Sequence, residues 1–268
     1  MNALQEKEFE LLTLFTQVCD KLELRYYLVC GSALGAVKYK GFIPWDDDVD
    51  VGLMREDYKI FLEKAPSLLP DHIFLQNYRT DPAFPAIFSK LRNSNTAYIE
   101  RSASRLPINL GIGIDIFPLD GYPEDEKEQV HLERYKEIYR RLLSTAYLPN
   151  RKWKWLFIVP FRFLGIHKRT ATIAHKYEMM VSKYPVAGSK MIANHGNWQG
   201  KLEYASAEQY GNGTWGEFEG LKVRIPEQYD TYLRQKYGDY HLDPPPEEQV
   251  GHHYYISYDC NRSYKELL

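Results

Sequence analysis

Gly41-Phe42-Ile43-Pro44-Trp45-Asp46-Asp47-Asp48-Val49-Asp50-Val51-Gly52 sets four carboxylates within five residues and frames them with apolar side chains. Like charges this close repel and raise one another's pKa values when no cation is near. A divalent cation removes that cost, and hard carboxylate oxygens suit Mg²⁺ or Mn²⁺ better than Zn²⁺. A solvated acidic loop is the plainer reading of a charge run. The apolar frame and the strand-like segment Val49 to Met54 argue against it. Upstream, Tyr26 to Cys30 is short, apolar and aromatic, ends at Gly31-Ser32, and reads as a buried strand. Ala33 to Tyr39 reads as a short helix that ends before Gly41. The order is therefore strand, Gly-Ser turn, helix, then a strand bearing Asp48 and Asp50. Glycine lets the backbone approach a phosphate, and the Ser32 hydroxyl with nearby N–H groups can hold it. Strand alternation places Asp48 and Asp50 on one face, where both can ligate one metal. Asp115 stands alone among apolar residues in Gly113-Ile114-Asp115-Ile116-Phe117, a further alternating strand. A lone buried carboxylate is costly unless paired or metal-bound, so Asp115 is expected as a third ligand. A cap or turn role is its alternative.

The chain has 268 residues, a formal net charge of -2 and 44% apolar content, enough for a buried core. Near-neutral charge gives no sign of nucleic-acid binding. Three cysteines without metal-type spacing (Cys19, Cys30, Cys260) fit a reducing, cytoplasmic setting. The N-terminus lacks the basic and apolar regions of a signal peptide, and no run of about 18 apolar residues predicts a spanning helix. Residues 4–24 are amphipathic at helical spacing, and Arg55 to Leu69 reads as a helix closed by Pro70. Ile73 to Tyr78, Ile87 to Arg92 and Thr96 to Glu100 read as strands. Helices are expected over 124–147, 170–184 and Tyr229 to Tyr237, with loops from Gly196 to Gly220. Residues 151–169 put Trp153, Trp155 and basic side chains around a short apolar centre broken by Pro160. That is the profile of a segment docked on the inner face of a membrane; a core helix of a second subdomain fits as well.

Gly31-Ser32 through Lys38, followed by the acidic run, resembles the LicD family, which includes the fukutin-related enzymes within the nucleotidyltransferase-like superfamily. Similar blocks follow at Lys90 to Thr96, Asp115 to Asp120, and Ile225 through Tyr240 to His252-His253. The resemblance implies an α/β (α+β) fold: a nucleotidyltransferase-like mixed sheet with flanking helices and a helical insertion. It implies a catalytic core over residues 1–120, a helical elaboration over 121–200 and a C-terminal segment, 201–268, that completes the site. It further implies Mg²⁺-dependent transfer of a phospho-alcohol, such as phosphocholine, from a CDP-linked donor. The acceptor would be a hydroxyl of a cell-surface glycan or its lipid-linked precursor, with CMP as leaving group. Asp46, Asp48 and Asp50 would hold the metal on the pyrophosphate, and Asp115 would complete that set and accept the hydroxyl proton. Gly31 and Ser32 would contact phosphate. Lys38, Lys90 and Arg92 would donate charge-assisted bonds to the pyrophosphate. His252 and His253 would contact the phospho-alcohol or the acceptor. Two positions depart from the family pattern. Lys38 replaces a usual Arg and loses its fork, and Glu248-Gln249-Val250 carries no cation before the histidines.

Three other classes fit the sequence less well. A calcium loop of the helix-loop-helix type needs Gly and Glu where Val51 and Asp57 stand. An Asp-x-Asp glycosyltransferase would also bind metal and diphosphate, but the strand, Gly-Ser, helix, strand order disfavours it. A non-catalytic protein that retained the fold would be expected to have lost a metal carboxylate, and none is missing.

Overall fold

The 11-residue strand Ile112–Tyr122 (β6) organises the computed structural model, which describes residues 1–147, 164–197, 199–251 and 255–267. Among these residues a seven-stranded sheet forms. It joins Tyr26–Leu28 (β1), Asp50–Met54 (β2), β6, Ser89–Asn93 (β4) and Ile73–Gln76 (β3) in the order β1-β2-β6-β4-β3. β2 and β6 are parallel, and the other pairings along this path are antiparallel, so the sheet is mixed. Beyond β2 and β4, β6 continues into a pairing with Met191–Ala193 (β7), which in turn pairs with Tyr204–Ser206 (β8). The family-like α/β architecture expected above is therefore present.

Pro118 stands inside β6, where a missing N–H would normally break a ladder. Asp115 donates its N–H to Val49 on the β2 side, so the position of residue 118 faces the other edge. There β4 has ended, at Ser89 opposite Ile116, and β7 has not begun, at Ala193 opposite Asp120. Proline occupies the gap, which is why the expected strand over 113–117 runs on to Tyr122.

Helix α1 (Ala3–Lys21) opens with a capping box between Asn2 and Gln5 and buries Leu11, Leu12, Phe15, Val18 and Cys19. It packs on β6 and β4. Helix α3 (Arg55–Lys64) gives way to a 3-10 turn over Ala65–Leu68, earlier than the expected end at Leu69. Pro66 lacks the N–H that an α-helix would need there. Helices α4 (Glu126–Ser144) and α5 (Thr170–Val181) pack on each other beside a second apolar cluster that includes Leu132, Leu143, Ile173, Tyr177 and Val181. Of the segment 151–169, residues 151–163 lie outside the described residues, and Ile166–Arg169 is a 3-10 turn. No helix among the described residues is long and apolar enough to cross a membrane.

The loop expected over 196–220 is corrected. It contains a 3-10 turn (Gly200–Glu203), β8, the short helix α6 (Ala207–Tyr210) and Thr214–Phe218 (β9). β9 pairs with Leu221–Ile225 (β10) across the two-residue loop Glu219-Gly220. Both loop residues have positive φ, 50° and 80°, as a primed hairpin turn requires. The glycines there mark a hairpin rather than an absence of structure. Ala97–Glu100 (β5) pairs with Tyr255–Asp259 (β11), and Tyr229–Tyr237 forms α7.

Candidate active site

The site forms where the acidic loop and the strands β2, β6 and β4 present their polar residues side by side. The expected helix over 33–39 begins earlier: Cys30–Leu34 is α-helical (α2) and Gly35–Tyr39 is a π-helical turn. Gly31 and Ser32 therefore lie in the first turn of α2 rather than at a strand end. The Ser32 hydroxyl accepts the Asp50 N–H at 2.8 Å and still carries its own proton to donate. At Gly31 a Cβ would stand 2.8 Å from Asp46 Oδ2, so glycine admits the Asp46 carboxylate against the turn.

Asp48 does not share a pleat with Asp50, because β2 begins at Asp50. The two are nevertheless electrostatically coupled. Burial first, then the Asp48 and Asp115 charges, raises the Asp50 carboxyl well above the usual range. Burial and the charges of Asp48 and Asp47 push Asp46 up to about 8. Asp115 is the direct register partner of Asp50 on the parallel neighbour strand. On its other side, Lys90 is its register partner on β4, and the ammonium lies 2.6 Å from Asp115 Oδ1. Asp50, Asp115 and Lys90 thus stand in one row across three strands.

The structure spends Arg92 elsewhere. It is buried and donates to Gln76 Oε1 at 2.9 Å and the Gly111 carbonyl at 2.5 Å, bracing β4 against β3 and the start of β6. Lys38 pairs with Asp243 at 2.5 Å and does not join the row. His252 and His253 lie outside the described residues.

Sequence reasoning missed several residues. Glu8 of α1 is 2% exposed, and its Oε2 has no partner among the described residues. Burial and the charges of Asp48, Asp47 and Asp46 raise its pKa. The spacing Leu4, Glu8, Leu11, Leu12, Phe15 puts it on the buried face, a signal present in the sequence. From the C-terminal half, Tyr232 accepts the Cys30 N–H at 3.2 Å. Cys30 Sγ reaches Glu203 Oε2 at 3.2 Å, and Glu203 is paired with buried Lys236. These contacts hold Cys30 at φ 55°, an uncommon conformation for a non-glycine residue, immediately before Gly31-Ser32.

The donor set fits a hard divalent cation: Asp46, Asp48 and Asp50 supply oxygens only, and burial with the neighbouring carboxylate charges raises the Asp46 and Asp50 carboxyls. Among the described residues no three acidic, His or Cys side chains converge into a ready-made cage.

Residues 23–141, which carry this row of side chains and the Gly-Ser turn, match the family model described as LicD/FKTN/FKRP, nucleotidyltransferase domain. Residues 23–141 are therefore similar to the LicD-type nucleotidyltransferase domain. Outside it, similarity continues. The chain is 27% identical over 263 residues, 92% of its length, to a lipopolysaccharide cholinephosphotransferase LicD of Haemophilus influenzae, covering 94% of that protein. Short matches occur to uncharacterised proteins of Rickettsia typhi (40% over 50 residues, 19% of this chain and 16% of that protein) and Rickettsia prowazekii (44% over 41 residues, 15% of each). The matched segment ends within α4, so β7, Glu203 and α7 come from outside it, and Glu203 and Tyr232 of that region meet it at Cys30.

Proposed function

We propose that this protein transfers a phospho-alcohol from a CDP-linked donor to a hydroxyl of a cell-surface glycan or its lipid-linked precursor, releasing CMP. The observation that carries this reading is the row Asp50, Asp115 and Lys90 across three adjacent strands, beside the Gly31-Ser32 turn and Asp46. The name and near full-length coverage of the Haemophilus influenzae relative support a phospho-alcohol as the group transferred and a cell-surface glycan as the acceptor. In such a transfer the acceptor oxygen bonds to the phosphorus bearing the alcohol. The bridging P–O bond breaks, and its electron pair leaves with CMP. This chemistry needs charge neutralisation and positioning more than covalent help.

Asp46, Asp48 and Asp50 would hold Mg²⁺ or Mn²⁺, which supplies charge neutralisation on the pyrophosphate. Ser32 orients a phosphate oxygen through its remaining hydroxyl proton. Asp115 takes the acceptor proton, and Lys90 at 2.6 Å sets the orientation of its carboxylate.

Asp48→Asn and Asp50→Asn are each expected to abolish CMP release from CDP-alcohols while circular dichroism and the unfolding midpoint show an intact fold. Full activity in either variant would sink the metal assignment. Turnover of a UDP-sugar with no CDP-alcohol turned over would replace the reading with that of a glycosyltransferase.

A further inference from the structure

Cys30 stands at the join between β1 and α2, with Val29 before it extended and Ser32 after it in the first turn of the helix. Both neighbours grip Asp50 by its backbone. Val29 donates its N–H to the Asp50 carbonyl at 3.1 Å, and the Ser32 hydroxyl accepts the Asp50 N–H at 2.8 Å. The positive φ of Cys30, 55°, lies between those two grips. A residue with a Cβ adopts that conformation at an energetic cost, and it persists only where the surroundings enforce it. Cys30 is held from two sides by residues 202 and 173 positions further along the chain. Tyr232 of α7 accepts the Cys30 N–H with its hydroxyl oxygen at 3.2 Å, and Glu203 Oε2 accepts the thiol proton at 3.2 Å. The other oxygen of Glu203 pairs with Lys236 of α7. The side chains of Lys236 and Glu203 are 3% and 1% exposed, so this ion pair is enclosed behind the turn.

We propose that Tyr232, Glu203 and Lys236 are positioning residues for the transfer: they hold Cys30 in its left-handed conformation and thereby hold the Ser32 hydroxyl at Asp50. The proposal rests on the phospho-alcohol reading above for what Ser32 touches, and on these contacts alone for how Ser32 is held. A fully buried ion pair adds little net stability over apolar side chains of similar size. The geometry that this pair enforces explains it better. An apolar residue at 203 could not accept the thiol proton, and Glu203 without Lys236 would be a buried charge with no counter-ion beside it. Lys236 anchors the Glu203 carboxylate, Glu203 anchors the Cys30 thiol, and Tyr232 anchors the Cys30 N–H. Without these anchors Cys30 favours a negative φ. That change would redirect the chain after Val29 and carry Ser32 away from Asp50. The C-terminal half of the protein thus acts on the row of reactive side chains through one backbone dihedral.

The test compares three full-length proteins: wild type, the unclamped variant Glu203→Leu with Lys236→Met and Tyr232→Phe, and the unclamped variant carrying Cys30→Gly as well. Two readouts are taken. One is kcat/KM for CMP release from CDP-choline, CDP-glycerol and CDP-ribitol with Mg²⁺. The other is amide hydrogen exchange over residues 28–36 and 48–52. Unclamping is expected to lower kcat/KM about tenfold and to speed exchange at the turn and at Asp50 by a similar factor. Glycine adopts a positive φ without the Cβ penalty, so Cys30→Gly should return most of both losses. A role confined to packing α7 against the core would not be relieved by a glycine at position 30. Wild-type kcat/KM and exchange in the unclamped protein would overturn the proposal, and so would losses that Cys30→Gly leaves in place. Should the unclamped protein fail to fold, Tyr232→Phe alone, with and without Cys30→Gly, is read in the same way. Should wild type turn over none of the three donors, the transfer reading fails and exchange alone decides. Faster exchange that Cys30→Gly reverses would support the clamp, and unchanged exchange would overturn it.

Discussion

His195 shows how burial sets a single residue's contribution. It is 2% exposed, neither ring nitrogen has a partner among the described residues, and Tyr122 and Tyr204 lie at 6.3 and 5.7 Å. Burial, aided by the Lys136 and Arg55 charges, holds its pKa well below 6.5. The folded protein keeps the ring neutral, while the unfolded chain takes up a proton as pH falls through about 6.5. The stability that the neutral ring contributes is therefore complete above that pH and is lost below it. The raised carboxyls of Asp46, Asp50 and Glu8 act with the opposite sign, so the His195 contribution is read as a difference: between about pH 7 and about pH 5 the urea midpoint of wild type should fall relative to that of His195→Phe. Identical slopes in the two proteins would refute this. The residue scale was also where the sequence was most readable. Asp46, Asp48, Asp50 and Asp115 declare themselves by crowding or isolation. Glu8 did not, because one acid on an amphipathic helix reads as solvated until the partner of that face is known.

At the scale of elements, the π-helical turn Gly35–Tyr39 and the acidic loop are packed backbone to backbone. A Cβ on Gly35 would lie 2.4 Å from the Gly41 carbonyl oxygen, and backbone cannot yield as a side-chain tip can. On the loop's far side, Glu219 of the β9–β10 hairpin accepts the Phe42 N–H at 3.1 Å. Gly35→Ala should therefore cost about 1–3 kcal/mol in urea unfolding, as overpacking does, and weaken CDP-alcohol binding along with it. An unchanged midpoint would show that the turn does not set the loop. The sequence foretold a short helix here, but the shift of its start to Cys30 depends on Tyr232 and Glu203, which are about 200 residues away.

Across the whole molecule, one guanidinium ties three elements together. Arg55, at the start of α3, donates to both oxygens of Asp120 on β6 (2.7 and 2.6 Å) and to Glu178 on α5 at 2.8 Å. All three residues are buried. Removing the cation leaves the buried Asp120 carboxylate without its ion pair, while Glu178 keeps Arg79 and the Tyr78 hydroxyl, so Arg55→Met is expected to cost about 3–5 kcal/mol. Arg55→Lys should recover only part of that, since an ammonium cannot reproduce the fork. Urea unfolding of both variants measures this, and a loss below about 1 kcal/mol in Arg55→Met would mean the network is not holding α5 to the sheet.

The sequence by itself determined the acidic run, the Gly-Ser turn ahead of it, the lone Asp115 and the amphipathic faces of the long helices. All of these are local patterns, set by charge repulsion, backbone freedom and the periods of helix and strand within a few residues. Tertiary structure alone decided that Asp115 stands between Asp50 and Lys90, that Arg92 turns to Gln76 instead, and that Tyr255 and Tyr258 meet Trp45 and Asp47. Each of those depends on strand register or on contacts between distant parts of the chain. Register is chosen by which faces bury together, and no local period encodes that choice.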